Sequence, residues 1–166
     1  MDFSRRIAQL LHEDHRATIA QIEALEEMIA RAKRKAPDIT EPHINKILKQ
    51  AHHNIEHEVR SHFSFEENEL FTRLAEAGDV SIGEHLREEH KAILPLGEQV
   101  AEHAKAALES GFTDQSWEQF RSLAGELIER MLTHIQKEEM ALLPIIDDLI
   151  DPQTDMTLAD HYSNNF

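Results

Sequence analysis

Residues 62–67 read HFSFEE and residues 134–139 read HIQKEE, so a His-x-x-x-Glu-Glu skeleton occurs twice in a chain of 166 residues. Hydrophobic stretches follow both copies, "NELFTRL" after the first and "MALLPII" after the second. A histidine and a glutamate four residues apart share one face of a helix, so one helix can present a nitrogen and an oxygen donor together. Each copy lies within an apolar stripe, on a face that ought to be dry.

Around these copies the chain divides into four periodic stretches. The first runs from about Ser4 to Lys35, with Ile7, Leu11, Thr18, Ile22, Leu25 and Ile29 on one face. Pro37 stops it, and Thr40 is placed to cap the second, with Pro42 in its first turn. The second carries Ile44, Leu48, Ile55, Val59, Leu70 and Leu74, and closes at Gly78. Ser81 is the expected N-cap of the third, which carries Ile82, Leu86, Ile93, Val100 and Leu108, with a kink expected at Pro95, and ends at Gly111. The fourth opens at "TDQSWEQF" and continues to about Ile150. Steps of three and four residues in four successive stretches predict four amphipathic helices. Short connections make neighbours antiparallel, which predicts an all-α, up-down-up-down four-helix bundle over residues 1–150. Residues 151–166 are expected to be a short polar C-terminal tail of one or two helical turns, without an assigned role.

Composition agrees and excludes other classes. Hydrophobic residues make up 40 % and charged residues 30 %, with five Gly and five Pro, too few turn residues for a sandwich or barrel. A net charge of −15 repels nucleic acid and anionic membrane surfaces, so neither is an expected partner. The absence of cysteine removes disulfide, iron–sulfur and thiolate chemistry. The opening "MDFSRRIAQLLHEDH" has no apolar run of signal or membrane type, so a cytoplasmic location is expected.

Each stripe is interrupted by residues of metal-ligand type. His15 stands on the first, His62 and Glu66 on the second, His90 on the third, and His134 and Glu138 on the fourth. Counted from the turns at 1.5 Å per residue, these positions fall at one height in the bundle. The chain also reads as two similar halves, a lone histidine followed 47 or 44 residues later by the motif. Four imidazoles and two carboxylates suit two metal ions, each held by two histidines and bridged by Glu66 and Glu138. Mixed imidazole and carboxylate donors without thiolate favour iron, with manganese or zinc as alternatives. Six protein ligands for two ions leave positions open to small molecules. The remaining histidines at 43, 52, 53, 85, 103 and 161 fall off the stripes.

The segments "EDHRATI", "HFSFEENELF", "REEHKAI" and "HIQKEEMALLP" together resemble the hemerythrin-like, or HHE cation-binding, family across residues 5–149. The resemblance implies a four-helix bundle around a non-haem di-iron centre with His15, His62, Glu66, His90, His134 and Glu138 as ligands. Members of that family carry or sense dioxygen, respond to nitric oxide, buffer iron or repair damaged iron–sulfur clusters. The expected role is therefore binding or sensing of O₂ or NO, with iron donation for cluster repair, or iron storage, as alternatives. A sensor of this length would need a separate protein partner.

This sequence departs from the invertebrate oxygen carriers on the third helix. They present two histidines one turn apart there, and four residues before His90 stands Leu86. His12, His57 and Glu58 are candidates to supply the missing ligand, and Glu139 stands at the offset where the carriers use an aspartate. Fewer protein ligands favour reactive or sensing roles over reversible oxygen carriage.

Overall fold

The structure, a computed structural model, describes residues 2–164. Among these residues the chain is entirely helical, with five helices. Helix α1 is Arg6–Ala32; α2 spans 42–76; α3 is Ser81–Ser110; α4 spans 114–149; and α5 is Pro152–Asn164. No helix among the described residues is long and apolar enough to cross a membrane.

Helix ends show how the chain turns. Lys33 adopts φ 53° just after α1, and the Trp117 indole donates to its carbonyl at 2.9 Å, tying that turn to α4. Thr40 does not cap α2: its hydroxyl and its amide both donate to Asp38, and the helix starts at Pro42, whose missing N–H is no loss in a first turn. Ser81 is likewise the first residue of α3 rather than its cap. That helix continues through Pro95 to Gly111, which takes φ 76° and donates its N–H to the Ala107 carbonyl. At the start of α4, Thr113 and Ser116 exchange side-chain and backbone hydrogen bonds in a capping box.

The segment expected to be a polar tail is helix α5, and it is docked. Leu158 and Tyr162 are buried, and Asp155 accepts from the Arg6 and Ile7 amides at 2.9 and 2.8 Å. Asp147 of α4 accepts from the Arg5 amide at 2.7 Å. The first donors of α1 are therefore satisfied by carboxylates from two other helices instead of a local cap. Sequence periodicity could not reveal this, because the partners lie more than a hundred residues away.

Helix α3 packs against α2 and α4, while α1 packs against α2, α4 and α5. The apolar interior forms two clusters. One holds Ile22, Leu48, Ile93, Val100, Trp117, Phe120 and Leu127. The other holds Ile7, Leu11, Phe65, Leu70, Leu86, Leu142 and Tyr162. Burial of each large side chain contributes about 1.5–3 kcal/mol. Between the two clusters every one of the first four helices delivers a polar residue. His15 follows Leu11 and precedes Ile22, and His90 lies between Leu86 and Ile93.

Candidate metal centre

The polar layer consists of His15, His62, Glu66, His90, His134 and Glu138, all of them buried, with both glutamates at 0 % exposure. Helix geometry alone brings His62 to Glu66 and His134 to Glu138. At each glutamate the helix widens into a π turn, Glu66–Leu70 and Glu138–Leu142. The Phe71 amide bonds the Glu66 carbonyl, and the Leu143 amide bonds the Glu138 carbonyl. Such turns accommodate one extra residue per turn and often mark functional positions in helices.

Each glutamate lies between histidines of two helices. Glu66 places Oε2 3.2 Å from His62 Nε2 and Oε1 3.2 Å from His90 Nε2. Glu138 places Oε1 2.6 Å from His134 Nε2 and Oε2 3.8 Å from His15 Nε2. Two donor groups result, both containing Glu66 and Glu138: one adds His15 and His62, the other His90 and His134. Within each group the donor atoms lie within 4.8 Å of one another.

The outer ring nitrogens are held by polar groups. Glu67 Oε2 is 3.0 Å from His90 Nδ1, and Glu89 Oε1 is 2.8 Å from His134 Nδ1. The Tyr162 hydroxyl is 3.2 Å from His62 Nδ1, with Asp14 Oδ2 at 3.6 Å on the same nitrogen. Glu139 Oε1 is 3.2 Å from His15 Nδ1, within ion-pair distance but off the hydrogen-bond axis, and 2.7 Å from His12 Nδ1. A carboxylate at Nδ1 fixes the proton there and leaves the Nε2 lone pair free to bind a metal.

These residues fit a cation. Glu66 and Glu138 have no hydrogen-bond partner for any carboxylate oxygen, and neither does Nε2 of His15 or His62. Buried carboxylates without partners cost several kcal/mol unless a positive charge lies between them. Electrostatics inside the layer are uneven. Burial works against a charged His62, but the Glu66 and Asp14 carboxylates outweigh it and hold the imidazole up at about 9. At His134 burial prevails over the pull of Glu66 and Glu89, with nearby His90 adding to it, and lowers the group to about 4. Burial opposes ionisation of Glu66, yet His62 and His90 keep its carboxyl below the usual range.

All six residues placed on the stripes by the sequence therefore meet in one layer. The other candidates do not join either donor group. His12 pairs with Glu139, and Glu139 stands behind His15. His57 is exposed with its ring 4.8 Å from that of His53, and Glu58 is exposed at a cavity mouth. Leu86 is fully buried among apolar side chains, so the place of a further third-helix histidine is filled by packing. Sequence reasoning missed Asp14, Glu89 and Tyr162. A signal for the first two was present: an acid precedes each lone histidine, Asp14-His15 and Glu89-His90, and each serves the motif histidine of the following helix. Tyr162 had no such signal.

A cavity of about 240 Å³ reaches the His15/His62 side of the layer, touching His134 and Glu138 as well. On the other side, Phe63 stacks on His90 at 3.7 Å between ring centres and 5° between planes, with Phe71 at 5.7 Å.

Comparison with known proteins agrees with this arrangement. No curated protein gives a significant sequence match to the chain. The family model of the hemerythrin HHE cation-binding domain, however, matches residues 6–161, which takes in all six residues of the layer and most of α5. The chain belongs to the hemerythrin HHE cation-binding domain family.

Proposed function

We propose that this protein is a non-haem di-iron protein that binds or senses a diatomic gas, O₂ or NO. His15 and His62 would hold one ion and His90 and His134 the other, with Glu66 and Glu138 offering a carboxylate to each; manganese or zinc would satisfy the same donors. The observation that carries the gas reading is the asymmetry of access. The cavity reaches His15 and His62, while Phe63 and Phe71 cover His90. A small neutral molecule thus has space beside His15 and His62, with His134 and Glu138 also within its reach, while aromatic rings close off the His90 face. When bound, ferrous iron supplies electrons and an open coordination position.

The chain's own residues prepare that position. Glu67 and Glu89 fix the tautomers of His90 and His134, and Tyr162 with Asp14 does so for His62. A π turn begins at each of the two glutamates, Glu66 and Glu138. Residues 1–150 are proposed as an up-down-up-down four-helix bundle carrying the site, with 151–166 as an appended segment. A cytoplasmic protein, unpaired with nucleic acid or membrane and signalling through a protein partner, is the setting this reading favours.

Iron donation to damaged clusters, or storage, is the second reading, favoured by the carboxylates Asp14 and Glu58 beside the cavity. Stopped-flow spectra of the anaerobically iron-loaded, reduced protein mixed with O₂ or NO test the proposal. A rapid visible absorption change that saturates with gas concentration is expected. Iron-loaded protein that stays spectrally silent toward both gases would leave storage or donation as the function.

A further inference from the structure

The two halves of the polar layer differ in how their outer carboxylates are neutralised. On the His90/His134 side, Glu67 is paired with Arg87 and Glu89 with Lys137, so each carries a cationic side chain toward solvent. On the His15/His62 side, Asp14 and Glu139 are paired with histidines instead. The cavity on this side is lined by Asp14 and Glu58, and no Lys or Arg lines it. Its inner wall carries His15, His62 and Glu138, whose buried Nε2 and carboxylate oxygens have no hydrogen-bond partner.

We propose that this acid-flanked mouth between α1 and α2 is the port through which a divalent cation is loaded. Glu58 at the surface and Asp14 below it are the carboxylates that meet the hydrated ion first. The inference rests on the di-metal reading of the layer and adds a route to it. Two carboxylates at a low-dielectric mouth raise the local concentration of a divalent cation, because field lines concentrate in a cleft of one sign. Asp14 Oδ2 lies 3.6 Å from His62 Nδ1, on the outer side of the ring, and the cavity it lines with His62 leads inward to His15 and Glu138. The opposite approach is less favourable on two grounds: Arg87 and Lys137 neutralise Glu67 and Glu89 there, and Phe63 stacks on the His90 ring. The same field favours neutral diatomic molecules over anions as visitors to the cavity.

Cobalt(II) added to the metal-free full-length chain under anaerobic conditions is the probe, followed by stopped-flow visible absorption and by cobalt content at the end point. Glu58→Gln is expected to slow uptake about threefold and Glu58→Lys about tenfold at low ionic strength, with the difference shrinking in salt. Final cobalt per chain should be unchanged, because Glu58 belongs to neither donor group. Glu129→Lys makes the same charge change at an exposed position beside a different groove and should load at close to the wild-type rate. Full cobalt uptake by Glu58→Lys at the wild-type rate, or slowing no greater than that of Glu129→Lys, overturns the port alone. A wild-type chain that takes up no cobalt overturns the metal reading beneath it.

Discussion

Nε2 of His90 and Nε2 of His134 lie 3.2 Å apart in the interior, each ring held at Nδ1 by a glutamate. With both protons on the Nδ1 side, two lone pairs face each other. The arrangement is stable only with a proton or a cation between them. The same need for positive charge recurs at Glu66 and Glu138, whose oxygens approach histidine nitrogens but have no hydrogen-bond partner.

Substitution of the two adjacent glutamates in the second motif should separate their roles. Glu138 is in both donor groups, while Glu139 acts on His15 from outside. Glu138→Ala should abolish stable loading of both ions. Glu139→Ala should weaken metal affinity by about 10- to 100-fold, as is typical for a group that orients a ligand. Metal content after dialysis against a graded chelator measures both, and equal losses would contradict the assignment.

Tyr162 links α5 to the site. Tyr162→Phe keeps the packing of the ring against Phe65, 4.9 Å between centres, and removes only the hydroxyl at His62. A stability loss of about 1 kcal/mol is expected, together with weaker binding of the ion held by His15 and His62. Denaturant unfolding and metal titration read the two effects. An unchanged metal titration would limit Tyr162 to packing.

Asp155 offers a test of α5 as a cap. It bonds the Arg6 and Ile7 amides, so Asp155→Ala should cost about 1 kcal/mol and lower the melting temperature by a few degrees. Asp160, exposed on the same helix, serves as the comparison, and a loss there as large as that at Asp155 would refute the capping role.

The metal-free protein should be most stable near pH 6.5. Unfolded histidine titrates at about 6.5. His62 is raised to about 9, so its contribution is complete below ~6.5 and is lost as pH rises through 9. His134 is lowered to about 4, so its contribution is present above ~6.5 and is lost as pH falls toward 4, where Glu66 adds to the decline. Thermal melts from pH 4.5 to 9.5 should trace a dome. His62→Gln should flatten its alkaline limb and His134→Gln its acid limb, and a monotonic profile would discount both residues.

Metal removal gives the complementary measurement. Protons and metal compete for the same imidazoles and carboxylates, so holo protein should outlast metal-free protein at neutral pH and lose that advantage in acid. A melting-temperature gap of constant size from pH 7.5 to 4.5 would mean that the layer is not where metal binds.

Much of the site was legible because helical periodicity is local. His62 with Glu66, and His134 with Glu138, could be placed on buried faces by counting fours, and His15 and His90 followed from the stripes they interrupt. Residues that act across helices were harder to find. Glu89 reaches His134 from 45 positions away, and Asp155 reaches Ile7 from 148. Helix α5 escaped for a related reason: Leu158 and Tyr162 form a stripe too short to stand out, and only docking against the rest of the chain gives it a buried side. Thr40 and Ser81 had the right chemistry for caps, but Asp38 claimed the first, and the helix began at the second.

The placement of the polar layer between two dry clusters bears on how the protein would open. Ordinarily amide exchange in a helical protein advances from frayed ends inward, since the ends have the fewest partners. Here the ends are clamped by Trp117 at one extreme and by Asp147 and Asp155 at the other. Without a cation, the weakest section is the middle, where lone pairs and carboxylates face one another. Exchange in the metal-free chain should therefore start at the waist, around His62 and His134, and travel outward toward both clamped poles.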